Sequence, residues 1–136
     1  MPAVVALLRD DPIGAARETG EAEDYLAAFR GMQRDSANRL IVGEIEAQIV
    51  ATYQITVIAG LSLRATRRAQ IESVRVASRQ RAKGIGAALL RDAETRARAA
   101  GCRLMQLTSD ATRTRARAFY EGAGFTASHV GFKKPL

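Results

Sequence analysis

Hydrophobic and polar positions along the chain fall into segments with two different periods. Residues 3–9, AVVALLR, form an apolar helical run. The Asp10-Asp11-Pro12 step ends it, because proline disfavours helix in the residue before it. From Glu21 to Arg34, Tyr25, Leu26, Phe29 and Met32 recur at helical spacing and predict a second helix. The period then changes to two. Arg39–Ile45 and Gln48–Ile58 read as strands joined by a short turn near Glu46-Ala47, with Ile49, Ala51, Tyr53, Ile55 and Val57 on one face of the second. Its other face carries Thr52, Gln54 and Thr56, a polar row suited either to line a cleft or to meet solvent.

A third strand, Gln70–Val76, breaks its own alternation. Ile71 points to one face while Val74 and Val76 point to the other, and one extra residue near Glu72-Ser73 reconciles them. That is what a β-bulge does. A helix from Gly84 to Ala100 follows, burying Ile85, Leu89, Ala93 and Ala97 and carrying Asp92–Arg96 and Glu94–Arg98 pairs at i,i+4 on its outer face. Gly101 ends it as a C-cap. Arg103–Ser109, with Leu104, Met105 and Leu107, is apolar on both sides and predicts a central strand. Ser109-Asp110-Ala111-Thr112 offers caps to a last helix, Arg113–Ala123, which stops at Gly124. His129 and Phe132 fall in terminal strands. Strands alternating with helices over 136 residues predict one α/β domain spanning residues 1–136.

The turn between the third strand and its helix carries chemistry. Gly84 and Gly86 open the helix beside Arg79, Arg81 and Lys83, so unpaired backbone N–H groups, the positive helix end and added cations converge on one spot. Such a spot binds anions, and glycine lets a phosphate approach the backbone. The Gly-Lys-Ser/Thr ending of a Walker loop and the three glycines of a dinucleotide fingerprint are both absent. What stands there is Arg81-Ala82-Lys83-Gly84-Ile85-Gly86, after a Val-x-Val strand and before Ala87-Ala88-Leu89-Leu90.

That arrangement resembles the coenzyme A loop of the GNAT superfamily of N-acyltransferases. Ala118–Phe125, AFYEGAGF, resembles the family's second signature, a helix with Phe-Tyr followed by Gly-Phe. The resemblance covers nearly the whole chain and implies a mixed, splayed central sheet flanked by helices. The strand that usually precedes the first helix is absent from the pattern, which implies an exposed sheet edge. The implied cofactor is acetyl-CoA, held by Val74, Val76, Arg81, Ala82, Lys83, Gly84, Ile85, Gly86, Ala87 and Ser109. The bulged strand would free backbone groups near Val74 and Val76 for the pantetheine amides. Many members place asparagine six residues before the Phe, where this sequence has Arg113.

Composition narrows the field further. A net charge of +7 suits a phosphorylated cofactor or nucleic acid, or only a solvated arginine-rich surface. Aromatic residues make up 5%, which leaves few stacking platforms for single-stranded nucleic acid. One cysteine, Cys102, excludes an intrachain disulfide, and no apolar run is long enough to span a membrane. With no signal peptide visible, the expectation is a cytoplasmic protein.

A single histidine and the lack of any Ser-His-Asp or Cys-His set leave direct attack, without a covalent enzyme intermediate, as the consistent route of acyl transfer. Glu72, at the suspected bulge, is the candidate base; the competing reading is a surface glutamate paired with an arginine. Tyr120 matches the family tyrosine that approaches the coenzyme sulfur and is the candidate acid. The expected activity is transfer of an acetyl group from acetyl-CoA to a primary amine on a small molecule or a protein. The alternatives are an acyl-CoA-binding regulator without catalysis and, ranked below it, a basic nucleic-acid-binding protein. Leu61 and Leu63, in the loop 59–68, together with the sheet edge, raise the expectation of a homodimer.

Overall fold

In the computed structural model, which describes residues 1–136, three helices lead into the sheet: α1 (Pro2–Leu8), α2 (Pro12–Arg17) and α3 (Ala22–Arg34). Strands β1 (Asn38–Ile45) and β2 (Gln48–Ile58) then form a hairpin. Its two-residue turn, Glu46-Ala47, has positive φ at both positions, the primed geometry that matches the twist of paired strands. After the one-turn element α4 (Ser62–Ala65) come β3 (Arg68–Val76), α5 (Ile85–Ala99), β4 (Leu104–Leu107) and α6 (Thr114–Gly122). The sheet order is β1-β2-β3-β4, with the first two pairings antiparallel and β3–β4 parallel. A parallel pair needs a crossover, and α5 supplies it.

Helices cover both faces of β2. The Tyr53 hydroxyl donates to Asp92 Oδ2 on α5, so Ala51, Tyr53 and Ile55 face that helix. Val50 and Thr52 point the other way and are also buried, where α1 packs across β2 and β3. On α5, Leu89, Ala93 and Ala97 recur every four residues and are buried. The two alanines bring the helix backbone close to the sheet, and Tyr53 fills the space at 0% exposure. Ile85 packs only partly buried against this core.

Several expectations are corrected here. In the polar row Thr52, Gln54 and Thr56, Thr52 is buried and its hydroxyl donates to Ile41 O, while half-buried Gln54 Nε2 and Thr56 Oγ1 donate to Asn38 Oδ1. The strand over residues 104–107 is the last in the sheet, not central. Residues 125–136, His129 and Phe132 among them, form no strand beside it, and Phe132 is 93% exposed. Helix α6 has Arg113 at its N-cap without a side-chain cap, because Asp110 Oδ1 accepts instead from Thr112 within the preceding turn. Helix α2 was not visible in the pattern. Asp11 caps it by accepting from the Gly14 N–H, and Pro12 occupies its first turn.

Candidate functional site

A gap in the sheet sets the site. Strands β3 and β4 pair from Arg68↔Leu104 to Ile71↔Leu107 and no further, while β3 runs on to Val76 held by β2 alone. The expected bulge is at the start of this free stretch. Thr52 pairs with Arg75 and Gln54 with Glu72, so Tyr53 alone opposes Ser73 and Val74, and Ser73 takes a φ of 52°. Beyond it, Ala77 N donates to Val50 O, so the ladder turns the peptide groups of Val76 away from β2 and toward the gap. Two guanidinium groups meet this edge. Arg81 Nε donates to Val76 O at 3.1 Å, and Arg75 Nη1 donates to Val74 O at 2.9 Å.

The turn at the end of β3 has the form an anion site needs. Gly84, the N-cap of α5, is left-handed at φ 79° and brings no side-chain cap. The N–H groups of Ile85, Gly86 and Ala87 therefore donate to no protein group. A Cβ built on Gly84 would meet nothing within 4 Å, so the approach to these donors is open. Gly86 answers to a different demand: a Cβ there would lie 3.1 Å from Phe119 Cζ on α6. Arg81 is tied down, since its Nη2 donates to Asp10 O at 2.6 Å and Asp10 Oδ2 accepts from Ser78 N. Lys83 Nζ, exposed, reaches only Gln80 Oε1. Open donors beside Ala82 and Lys83, next to a strand edge that no neighbouring strand covers, fit a phosphorylated pantetheine cofactor. Ser109 lies exposed just past the end of β4 and makes no hydrogen bond within the chain.

Tyr120, on α6 and within reach of the Arg75 charge, has its ring 5.2 Å from that of Phe119 and 5.9 Å from that of Phe125. Burial raises its phenol above the ordinary value, against the pull of the Arg75 and Arg113 charges. The hydroxyl therefore stays protonated at neutral pH. Arg113 holds Asp11 in a two-pronged ion pair, Nη1 to Oδ2 and Nη2 to Oδ1, each 3.0 Å. Arg75 Nε lies 3.9 Å from Asp11 Oδ2. Burial works to raise the Asp11 carboxyl, but hydrogen bonds from Arg113 and Gly14, with the charges of Arg113 and Arg75, bring it down to about 2. Arg113 thus joins the start of α2 to the start of α6.

Glu72 sits at the bulge, exposed, and forms no ion pair or hydrogen bond with any other side chain. The competing expectation of a partnered surface glutamate finds no arginine there. Sequence reasoning also missed Asp92 as an inward group. It accepts from Tyr53 as well as from Arg96, whose hydrogen bond outweighs burial and lowers its carboxyl, while burial and the carboxylate raise the Tyr53 phenol. The signal was the lone tyrosine on an otherwise aliphatic strand face, which needed a polar partner for its hydroxyl.

An open mixed sheet that splays beside a glycine turn, between helices, defines an acyltransferase-like α/β class. The chain belongs to the GNAT acetyltransferase family, whose model matches residues 1–125. It is similar to a crystal structure described as a transcriptional regulator from Bacillus halodurans C-125, with 41% identity over 97% of this chain and 90% of that one and a TM-score of 0.92. The glucosamine-6-phosphate N-acetyltransferase of Arabidopsis thaliana shares the fold at 22% identity, covering 97% and 88% of the two chains with a TM-score of 0.80. An acetyltransferase of Trypanosoma brucei does so at 24% identity, over 99% and 92%, with a TM-score of 0.78. No curated protein matches the chain. No helix is long and apolar enough to cross a membrane.

Proposed function

We propose that this chain is an N-acetyltransferase, one domain over residues 1–136, that moves an acetyl group from acetyl-CoA to a primary amine by direct attack. The observation that carries the reading is the free edge of β3 running into the open donors at the start of α5. In this reading, the N–H groups of Ile85, Gly86 and Ala87 hold the phosphates, with Ala82, Lys83 and the left-handed Gly84 shaping the turn. Val74 and Val76 offer peptide groups to the pantetheine amides, Arg81 steadies the strand end, and Ser109 faces the adenosine half. Bound acetyl-CoA supplies an activated thioester.

Residues of the chain then manage protons. Glu72 takes one from the incoming ammonium, directly or through a water, and its free carboxylate suits that task. Tyr120 keeps its hydroxyl proton at neutral pH and gives it to the leaving sulfur. Holding both partners in one cleft supplies much of the rate gain. The test is thiol release from acetyl-CoA against a panel of primary amines. No release above hydrolysis for any amine, by protein that binds acetyl-CoA, would sink the enzymatic reading.

A second reading rests on the 41% identical structure described as a transcriptional regulator. In it the same cleft binds acyl-CoA and the chain works as a regulator without turnover. Tight acetyl-CoA binding with no transfer, and an acyl-CoA-dependent change in partner binding, would favour it.

A further inference from the structure

Arg68 and Arg75, near opposite ends of β3, each bury an Nε without a hydrogen-bond partner, and the one beside the gap in the sheet is Arg75. Its side chain is 14% exposed, and Nη1 is taken by Val74 O. Nε is buried without a hydrogen-bond partner, and Nη2 donates to no group, so the Nε/Nη2 edge is unpaired. The nearby carboxylate of Asp11 does not fill this edge. It lies 3.9 Å off, and both of its oxygens already accept from Arg113 at 3.0 Å. Two guanidiniums thus share one carboxylate, and the Arg17 charge also acts on Arg75. A half-buried positive charge without full compensation is costly to maintain.

We infer that the Nε/Nη2 edge of Arg75 receives a carboxylate carried by the acceptor, so that the substrate is an amine bearing a carboxylate, as in an α-amino acid. The inference rests on the acetyltransfer reading above and names its substrate class. Geometry favours a carboxylate: two parallel N–H donors on one guanidinium edge match its two oxygens. One such anion brings Arg75, Arg113 and Asp11 to neutrality. Its source is the acceptor because the charges of the coenzyme sit at the far end, by the start of α5, while its thioester end is uncharged. Arg75 lies at the bulge, within electrostatic reach of the Tyr120 hydroxyl.

Two measurements test this. The first needs no turnover: the arginine Nε–Hε resonances of ¹⁵N-labelled protein are followed, that of Arg75 being identified by its loss in Arg75→Lys. Free α-amino acids are titrated against their C-terminal amides and the matching aminophosphonates, with acetyl-CoA present. The expected result is a downfield shift of the Arg75 signal with amino acids and little change with amides. The second compares kcat/KM for the same pairs by thiol release. Amino acids should exceed their amides by about ten- to a hundredfold, the worth of a charge-assisted two-pronged contact. In Arg75→Gln that ratio should collapse toward one, mainly through KM.

Amides that perturb Arg75 and react as well as the acids would overturn the inference and leave acetyltransfer standing. A preference for aminophosphonates would overturn the assignment to carboxylate. A carboxylate-specific Arg75 shift without any thiol release would uphold the anion site and remove catalysis instead. An Arg75 signal that no probe moves would make Arg75 a structural partner of Asp11.

Discussion

Removing the charge of Asp11 while keeping its shape is the sharpest probe of how the two ends of this cleft are joined. Asparagine can still accept from the Gly14 N–H, so Asp11→Asn preserves the cap of α2 and deletes only the ion pair with Arg113 and Arg75. The carboxyl falls from its ordinary 3.8 to about 2 in the folded chain. At 1.36 kcal/mol for each pKa unit, that drop amounts to about 2.5 kcal/mol of folding stability at neutral pH. The side chain is 15% exposed, so solvent removes little of this. Because the folded value is the lower one, the stabilisation is present above pH 3.8. It declines as pH falls toward 2, and roughly half is left near pH 3. Asp11→Asn should therefore lose about 2 kcal/mol in urea unfolding at pH 7, or roughly 6–10 °C in Tm for a chain of this size. The gap to the parent protein should narrow steadily between pH 4 and pH 2.5. Equal midpoints at pH 7, or a gap that ignores pH, would refute the argument.

Three further outcomes follow from the cleft. Gly84→Asp should fold, since aspartate tolerates a left-handed φ and meets no atom there, yet weaken acetyl-CoA by at least about thirtyfold. Each of two phosphate charges near contact costs about 1 kcal/mol even in water; an unchanged thermal shift with acetyl-CoA would place the cofactor elsewhere. Tyr120→Phe keeps the ring packing and should leave acetyl-CoA affinity intact while slowing chemistry by roughly ten- to a thousandfold. Full single-turnover rates would make water the acid. Glu72→Gln should slow the reaction most at low pH, where free amine is scarce, and an unaltered pH–rate profile would return Glu72 to a surface role.

Local patterns that carry their own geometry were legible in the sequence. The hairpin of β1 and β2, the bulge near Glu72-Ser73, the glycine start of α5 and its i,i+4 ion pairs all show in spacing alone. Features that depend on distant partners were hidden. Thr52 looks like a surface residue until Ile41 O is beside it, and Asp92 looks outward until Tyr53 reaches it. Leu104, Met105 and Leu107 gave no sign that β4 ends the sheet, because apolar faces report burial by helices and say nothing of a missing lateral neighbour. Arg113 was noticed only as a departure from a motif. Its meaning came from Asp11, 102 residues away in sequence.

The contact between Gly86 and the ring of Phe119 makes positions 86 and 119 a single variable for anyone altering this protein. A methyl group at 86 would press on a residue whose chain neighbour is Tyr120, so tuning the helix start would also retune the candidate acid. A larger residue at 86 asks for a smaller one at 119. The two glycines of the turn, one residue apart, thus answer to unrelated demands: one to a left-handed backbone in open space, the other to the size of an aromatic ring on a different helix.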